Sequence, residues 1–216
     1  MRKEKITTGE YYHVYNRGVN KQTIFHDRSD YVRFLFLLIF FQSPKRFSNI
    51  IKFVGIYLKI GAFNLKKKKV NDIAKFRFVE LVCFCIMPNH FHLLVQQTSD
   101  QGTASYMHRV LGGYSRYYNK KYDTQGHLFQ NTYKAVHIKN DIQLLYLTAY
   151  IHRNPRILSG WLGKEHLYEW SSYQDYIVSN RFGVLLIQEI ILDQVVSKIN
   201  YRHFVESSSA KMVMNK

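Results

Sequence analysis

Cysteine, proline, acidic side chains and long apolar runs are all scarce in this chain of 216 residues. Its two cysteines, Cys83 and Cys85, stand two positions apart and cannot make a disulfide framework. They read as buried strand thiols of a protein in the reducing cytoplasm. The three prolines, Pro44, Pro88 and Pro155, each fall where a helix or strand pattern breaks. The longest apolar run covers residues 34–41, well short of the roughly 20 residues that cross a bilayer. The opening Met1-Arg-Lys-Glu-Lys-Ile6 leads into polar residues, so neither a membrane span nor a secretory signal is expected. Acid is short by half: 15 Asp+Glu face 31 Lys+Arg, a net charge of +16. A small protein this basic repels itself unless a polyanion screens it, which points to nucleic acid or an anionic surface.

What is present suits a folded domain. Hydrophobic residues make up 46% of the chain, which excludes wholesale disorder, and the length suits one domain. Tyr11-Tyr-His-Val-Tyr-Asn-Arg17 alternates and reads as a strand closed by Gly18. Asp27 to Asp30 offers caps for a helix to about Phe41, with Tyr31, Phe34, Leu35 and Leu38 on one face. Residues 43–78 read as an insertion with one or more helices of its own, including the run Lys66–Lys69. Val79 to Ile86 is a strand buried on both sides, Pro88-Asn89 turns the chain, and His90 to Gln96 returns. A helix is predicted over 107–122, weakened by Gly112-Gly113 at roughly 1 kcal/mol per glycine. A loop over 126–131, a strand over 133–138 and a helix from Asn140 or Asp141 to about Asn154 follow. A last helix is predicted near 184–198 and a frayed tail to Lys216. This order predicts an α+β fold, a ferredoxin-like antiparallel sheet with helices on one face.

Three groups of residues could carry chemistry. In His90-Phe-His92 the period of two puts both imidazoles on one strand face, about 7 Å apart, where both can reach one divalent cation. The plain alternative is two surface histidines. Tyr146, Tyr150 and Asn154 recur every fourth residue and share a helix face, which packing alone would also explain. Cys83, Cys85, His90 and His92 have zinc-ligand chemistry, but both pairs sit two apart within strands, unlike a zinc knuckle.

Pro88-Asn-His-Phe-His-Leu93 resembles the HUH motif of single-strand DNA transposases. Tyr12-His-Val-Tyr-Asn-Arg-Gly18 is similar to their first strand, and Gly126-His-Leu-Phe-Gln130 with Tyr133-Lys134 to a loop before their fourth. Tyr150-Ile-His-Arg-Asn-Pro155 looks like their nucleophile helix, and Trp170-Ser-Ser-Tyr173 like a segment after it. The resemblance, over residues 9–41 and 79–178, is to the IS200-like transposases, in particular the REP-associated tyrosine transposase branch. It implies Tyr150 as nucleophile and His90, His92 and Asn154 as ligands of Mg²⁺ or Mn²⁺. Asparagine stands where the wider group has glutamine. The implied reaction cuts and rejoins DNA through a 5′-phosphotyrosine without ATP.

The implied partner is single-stranded DNA with hairpin ends, with a homodimer as one assembly. The implied DNA-binding residues are Arg17, Arg109, Arg116, Tyr117, Lys120, Lys121, His127 and Gln130, where cations alternate with aromatics that stack bases. Residues 1–180 would form the catalytic domain with its insertion, and 181–216 a helix and tail. A cytoplasmic, nucleoid-associated protein is the expectation. The competing reading is a catalytically silent single-strand binder on the same scaffold.

Overall fold

A computed structural model describes residues 6–45, 47 and 49–208. Four strands, β1 (Tyr11–Arg17), β2 (Val79–Met87), β3 (His90–Gln97) and β4 (Lys134–Ile138), form an antiparallel sheet in the order β2-β3-β1-β4. Two long helices, α1 (Arg28–Phe40) after β1 and α4 (Gly102–Tyr122) after β3, cross one face and give the ferredoxin-like pattern. The insertion supplies α2 (Ile50–Ile60) and α3 (Lys67–Lys75). After β4 comes α5 (Asp141–His152), then α6 (Tyr173–Ile177), α7 (Glu189–Leu192) and α8 (Lys198–Ser207).

The start of α1 follows from local chemistry. The Asp27 carboxylate accepts from the Asp30 backbone N–H while the Asp30 carboxylate accepts from the Asp27 N–H, a reciprocal cap. From Tyr31 to Phe40 every residue of α1 but Arg33 is apolar and buried, and a helix apolar all round must be covered all round. The sheet and α4 cover one side, and the insertion covers the other: Phe36 packs on Phe53, Tyr57 and Phe63. The insertion therefore closes the core. Lys69 belongs to that packing, with Nζ 4.5 Å from the Phe53 ring centroid.

Gly113 explains one sequence oddity. A Cβ there would stand 3.1 Å from Phe41 Cε2 and 3.3 Å from Leu37 Cδ2, so glycine lets α4 lie close on α1.

The opposite face of the sheet is also covered. Val82, Cys83, Cys85, Met87 and Leu94 pack there against Leu144, Leu147 and Ile151 of α5 and against Tyr173, Tyr176 and Tyr201. The same carboxyl-terminal stretch takes up the outer edge of β2, where Ile86 N–H donates to Trp170 O and Ile187 N–H to Leu81 O. An edge so paired offers no template to another chain.

Three boundaries differ from expectation. Helix α4 begins five residues early, at Gly102, because Gln101 turns the chain in a left-handed conformation. Helix α5 ends at His152, and Asn154 opens a 3-10 turn, Asn154–Ile157, instead of lying on the helix. The helix expected over 184–198 is replaced by a 3-10 turn, Gly183–Leu185, then α7 and α8; Ser197 caps α8 by accepting from Asn200 N–H. Of the tail expected from Glu206 onward, Glu206 and Ser207 belong to α8, and residues from 209 onward lie outside the described residues. Among the described residues no helix is long and apolar enough to cross a membrane.

Candidate active site

The site forms where β3 begins. The Pro88-Asn89 turn is stapled to the stretch after β1: Gly18 N–H donates to Asn89 O, and both Ile24 and Phe25 N–H donate to Pro88 O. Register then places Arg17 opposite His90 and Tyr15 opposite His92. Alternation turns His13, Tyr15 and Arg17 of β1 to the same face as His90 and His92. Helix α5 lies over this face and brings Tyr150 edge-on to His92, ring centroids 5.5 Å apart, and to His13 at 6.0 Å.

Hydrogen bonds fix which atoms face inward. Asn89 Nδ2 donates to Lys21 O, so its Oδ1 is the acceptor for His90 Nδ1–H at 2.6 Å. His90 is thereby the Nδ1–H tautomer, and its Nε2 keeps a lone pair. Asn154 Nδ2 donates to Tyr150 O at 2.8 Å, and the Asn154 side chain lies within hydrogen-bonding reach of His90. His92 Nδ1 lies 2.9 Å from His13 Nε2 and shares one proton with it.

The imidazoles are buried and neutral. Burial, with Arg17 adding to it, lowers His90 to about 4. Burial and its neighbours His13, His90 and Arg17 push His92 well below its ordinary range, and burial takes His13 to about 4. Burial raises the Tyr150 phenol, so it is protonated at neutral pH, with the Arg17 charge partly opposing the rise. Among the described residues none hydrogen-bonds the Tyr150 hydroxyl.

Tyr146 is oriented away from this chemistry and packs its ring on Phe204 of α8 at 5.2 Å. Cys83 and Cys85 are buried, and burial raises both thiols. Among the described residues no three His, Cys, Asp or Glu side chains are grouped to hold a metal ion.

The expected DNA-binding residues divide. Arg17, Arg116, Lys120, His127 and Gln130 are exposed. Gln130 N–H donates to Arg17 O at 2.7 Å, which anchors its loop beside the site. Three others also make contacts within the protein. Arg109 donates to the carbonyls of Ser43 and Lys45 and lies over the Phe41 ring, tying down the start of the insertion. Lys121 pairs with Asp27 and Asp30, and the Tyr117 hydroxyl donates to Asp30. Sequence reasoning passed over His13 and Tyr15, although the alternation of 11–17 already set them on the face of Arg17.

Residues 63–154 match the family model described as "Transposase IS200 like". No curated protein matches the chain. A solved structure of a REP-associated tyrosine transposase bound to a REP hairpin shares the fold, with a TM-score of 0.54 at 10% identity. The alignment covers 88% of this chain and 92% of that one. The matched segment, under half of the chain, carries both histidines, the tyrosine and the asparagine, so over residues 63–154 the chain is similar to the IS200-like transposases, and its fold is that of a REP-associated tyrosine transposase.

Proposed function

We propose that this protein is a transposase that cuts and rejoins single-stranded DNA, using Tyr150 as nucleophile and His90, His92 and Asn154 as ligands of a divalent metal. The observation that carries the reading is the placement of Tyr150 against His92, with its hydroxyl unbonded, one turn before Asn154. The donor set fits Mg²⁺ or Mn²⁺. With His90 Nδ1–H committed to Asn89 and Asn154 Nδ2 to Tyr150 O, His90 Nε2 and Asn154 Oδ1 are left as acceptor lone pairs, the kind of donor atoms a divalent cation takes. When bound, such an ion polarises the scissile phosphate and neutralises charge as the bond to phosphorus changes hands.

The chain's own residues do the rest. Tyr150 gives up its phenol proton and attacks phosphorus. The bond to the 3′ oxygen breaks, that oxygen takes a proton, and the 5′ phosphate stays esterified to Tyr150. A second 3′-hydroxyl reverses the step, so the ester conserves the bond energy and ATP is not needed. Arg17, across from His90 and without an ion pair among the described residues, would bind phosphate oxygens. The structural relative is bound to a DNA hairpin, which supports a hairpin-ended strand as substrate here.

The test is a labelled hairpin oligonucleotide with a single-stranded extension, incubated with Mn²⁺ and run on a denaturing gel. A covalent protein–DNA band is expected from the wild type and from Tyr146→Phe, and none from Tyr150→Phe. A band that survives Tyr150→Phe removes the nucleophile assignment. Binding without any band under either metal leaves a silent single-strand binder.

A further inference from the structure

The buried pair His13–His92 is unlike the other contacts of the site. Asn89 and Asn154 are each oriented by a backbone carbonyl, so the roles of their side-chain atoms are settled. In the histidine pair one proton lies between two rings, His13 Nε2 and His92 Nδ1, and either ring can own it. Both side chains are nearly sealed from water, at 5% and 6% exposure, so solvent does not reassign that proton freely.

The two arrangements differ in what His92 presents to the site. If His13 donates, neutral His92 carries its proton on Nε2 and has no lone pair left for a cation. If His92 donates, its Nε2 lone pair is free, matching His90, whose Nδ1–H is already committed to Asn89.

We infer that His13 is a positioning residue that holds His92 as the Nδ1–H tautomer, by accepting from it, and so makes Nε2 a competent metal donor. The inference rests on the metal reading above. A ligand imidazole normally donates its other N–H to a fixed acceptor, and loss of that acceptor typically weakens metal binding by about 10–100-fold. An imidazole on β1 fills this place because the sheet register sets His13 diagonally across from His92 on one face, its ring stacked at 5.1 Å. Tyr15, 4.8 Å from the His13 ring, packs against its other neighbour side and limits its rotation.

Two measurements on the full chain test this. Long-range ¹H–¹⁵N correlation spectra of the metal-free wild type should show His92 protonated at Nδ1 and His13 at its own Nδ1. Mn²⁺ titration followed by electron paramagnetic resonance should give about 10–100-fold weaker binding for His13→Phe. His13→Gln, whose side-chain oxygen can accept in place of Nε2, should stay within a few-fold of wild type. A structural role alone would not produce that rescue. Wild-type-like Mn²⁺ affinity in His13→Phe, or a His92 proton found on Nε2, overturns the inference. A wild type that binds no Mn²⁺ overturns the metal reading itself and the inference with it. The spectra need no variant, so poor folding of His13→Phe leaves the question decidable.

Discussion

Arg17 ends β1 with an exposed guanidinium directly across from His90, on the side of the sheet where Tyr150 waits. A charge-assisted bond to phosphate is worth about 1.5–3 kcal/mol, or roughly 10–100-fold in rate if it strengthens as charge builds on the oxygens. Arg17→Ala should therefore slow single-turnover cleavage by about 10–100-fold. Its melting temperature should hardly move, because exposed substitutions cost within about 0.5 kcal/mol. Unchanged cleavage in this variant would remove Arg17 from the site. At this scale the sequence was readable where spacing alone decides orientation: His90 and His92 share a strand face by the period of two, whereas Asn154 comes near Tyr150 from a 3-10 turn past the end of α5 and not from the helix face its spacing predicted. His13 and Tyr15 were not, because their meeting with β3 depends on a register between strands more than 70 residues apart. The internal partners of Arg109, Lys121 and Tyr117 were not readable for a related reason. A cation or phenol on a helix does not announce which acid or carbonyl will fold against it.

The pair α1 and α4 is locked by a buried carboxylate. Asp30 is fully buried and accepts from Lys121 Nζ at 2.7 Å, from the Tyr117 hydroxyl at 2.9 Å and from the Tyr122 hydroxyl at 2.6 Å. Breaking a buried ion pair costs about 3–5 kcal/mol, and Lys121 keeps some access to water. Asp30→Ala should thus lie near the low end, about 3 kcal/mol, in chemical denaturation. The exposed member of the lock gives a pH signature. Burial alone would raise Asp27, but the Lys121, Ser29 and Asp30 hydrogen bonds outweigh it and hold the carboxyl at about 2. The unfolded carboxyl titrates near 4. The Asp27 contribution is therefore whole above about pH 4 and fades as pH falls toward 2. Wild type should lose this increment over that window, and Asp27→Ala should not. The cap that starts α1 was readable in Asp27 to Asp30; the second use of Asp30, as an anchor for α4, was not.

Across the whole molecule the +16 charge is unevenly used. Lys69, Arg109 and Lys121 serve packing, while Arg17, Arg116, Lys120 and Lys134 remain exposed. If those four meet phosphates of a single strand, at about 0.7 per contact, log affinity should fall with log salt at a slope near −3. A slope near zero, measured by fluorescence anisotropy between 50 and 200 mM salt, would contradict that footprint. The ferredoxin-like order was readable from alternation, caps and prolines. The covering of α1 by the insertion and the filling of the second sheet face were not, since both are long-range choices. One part of that second face bears on how strands would be exchanged. His152, two residues past Tyr150, bonds Tyr201 of α8 through Nδ1 at 2.7 Å and Ser172, beside β2, through Nε2 at 2.9 Å, with no exposure. The end of the tyrosine helix is thus riveted to the sheet and to the last helix at once. A DNA end esterified to Tyr150 would stay parked where it was cut. On the proposed reading the traffic of rejoining would then fall to the nucleic acid, whose free 3′ ends would trade places over a stationary anchor.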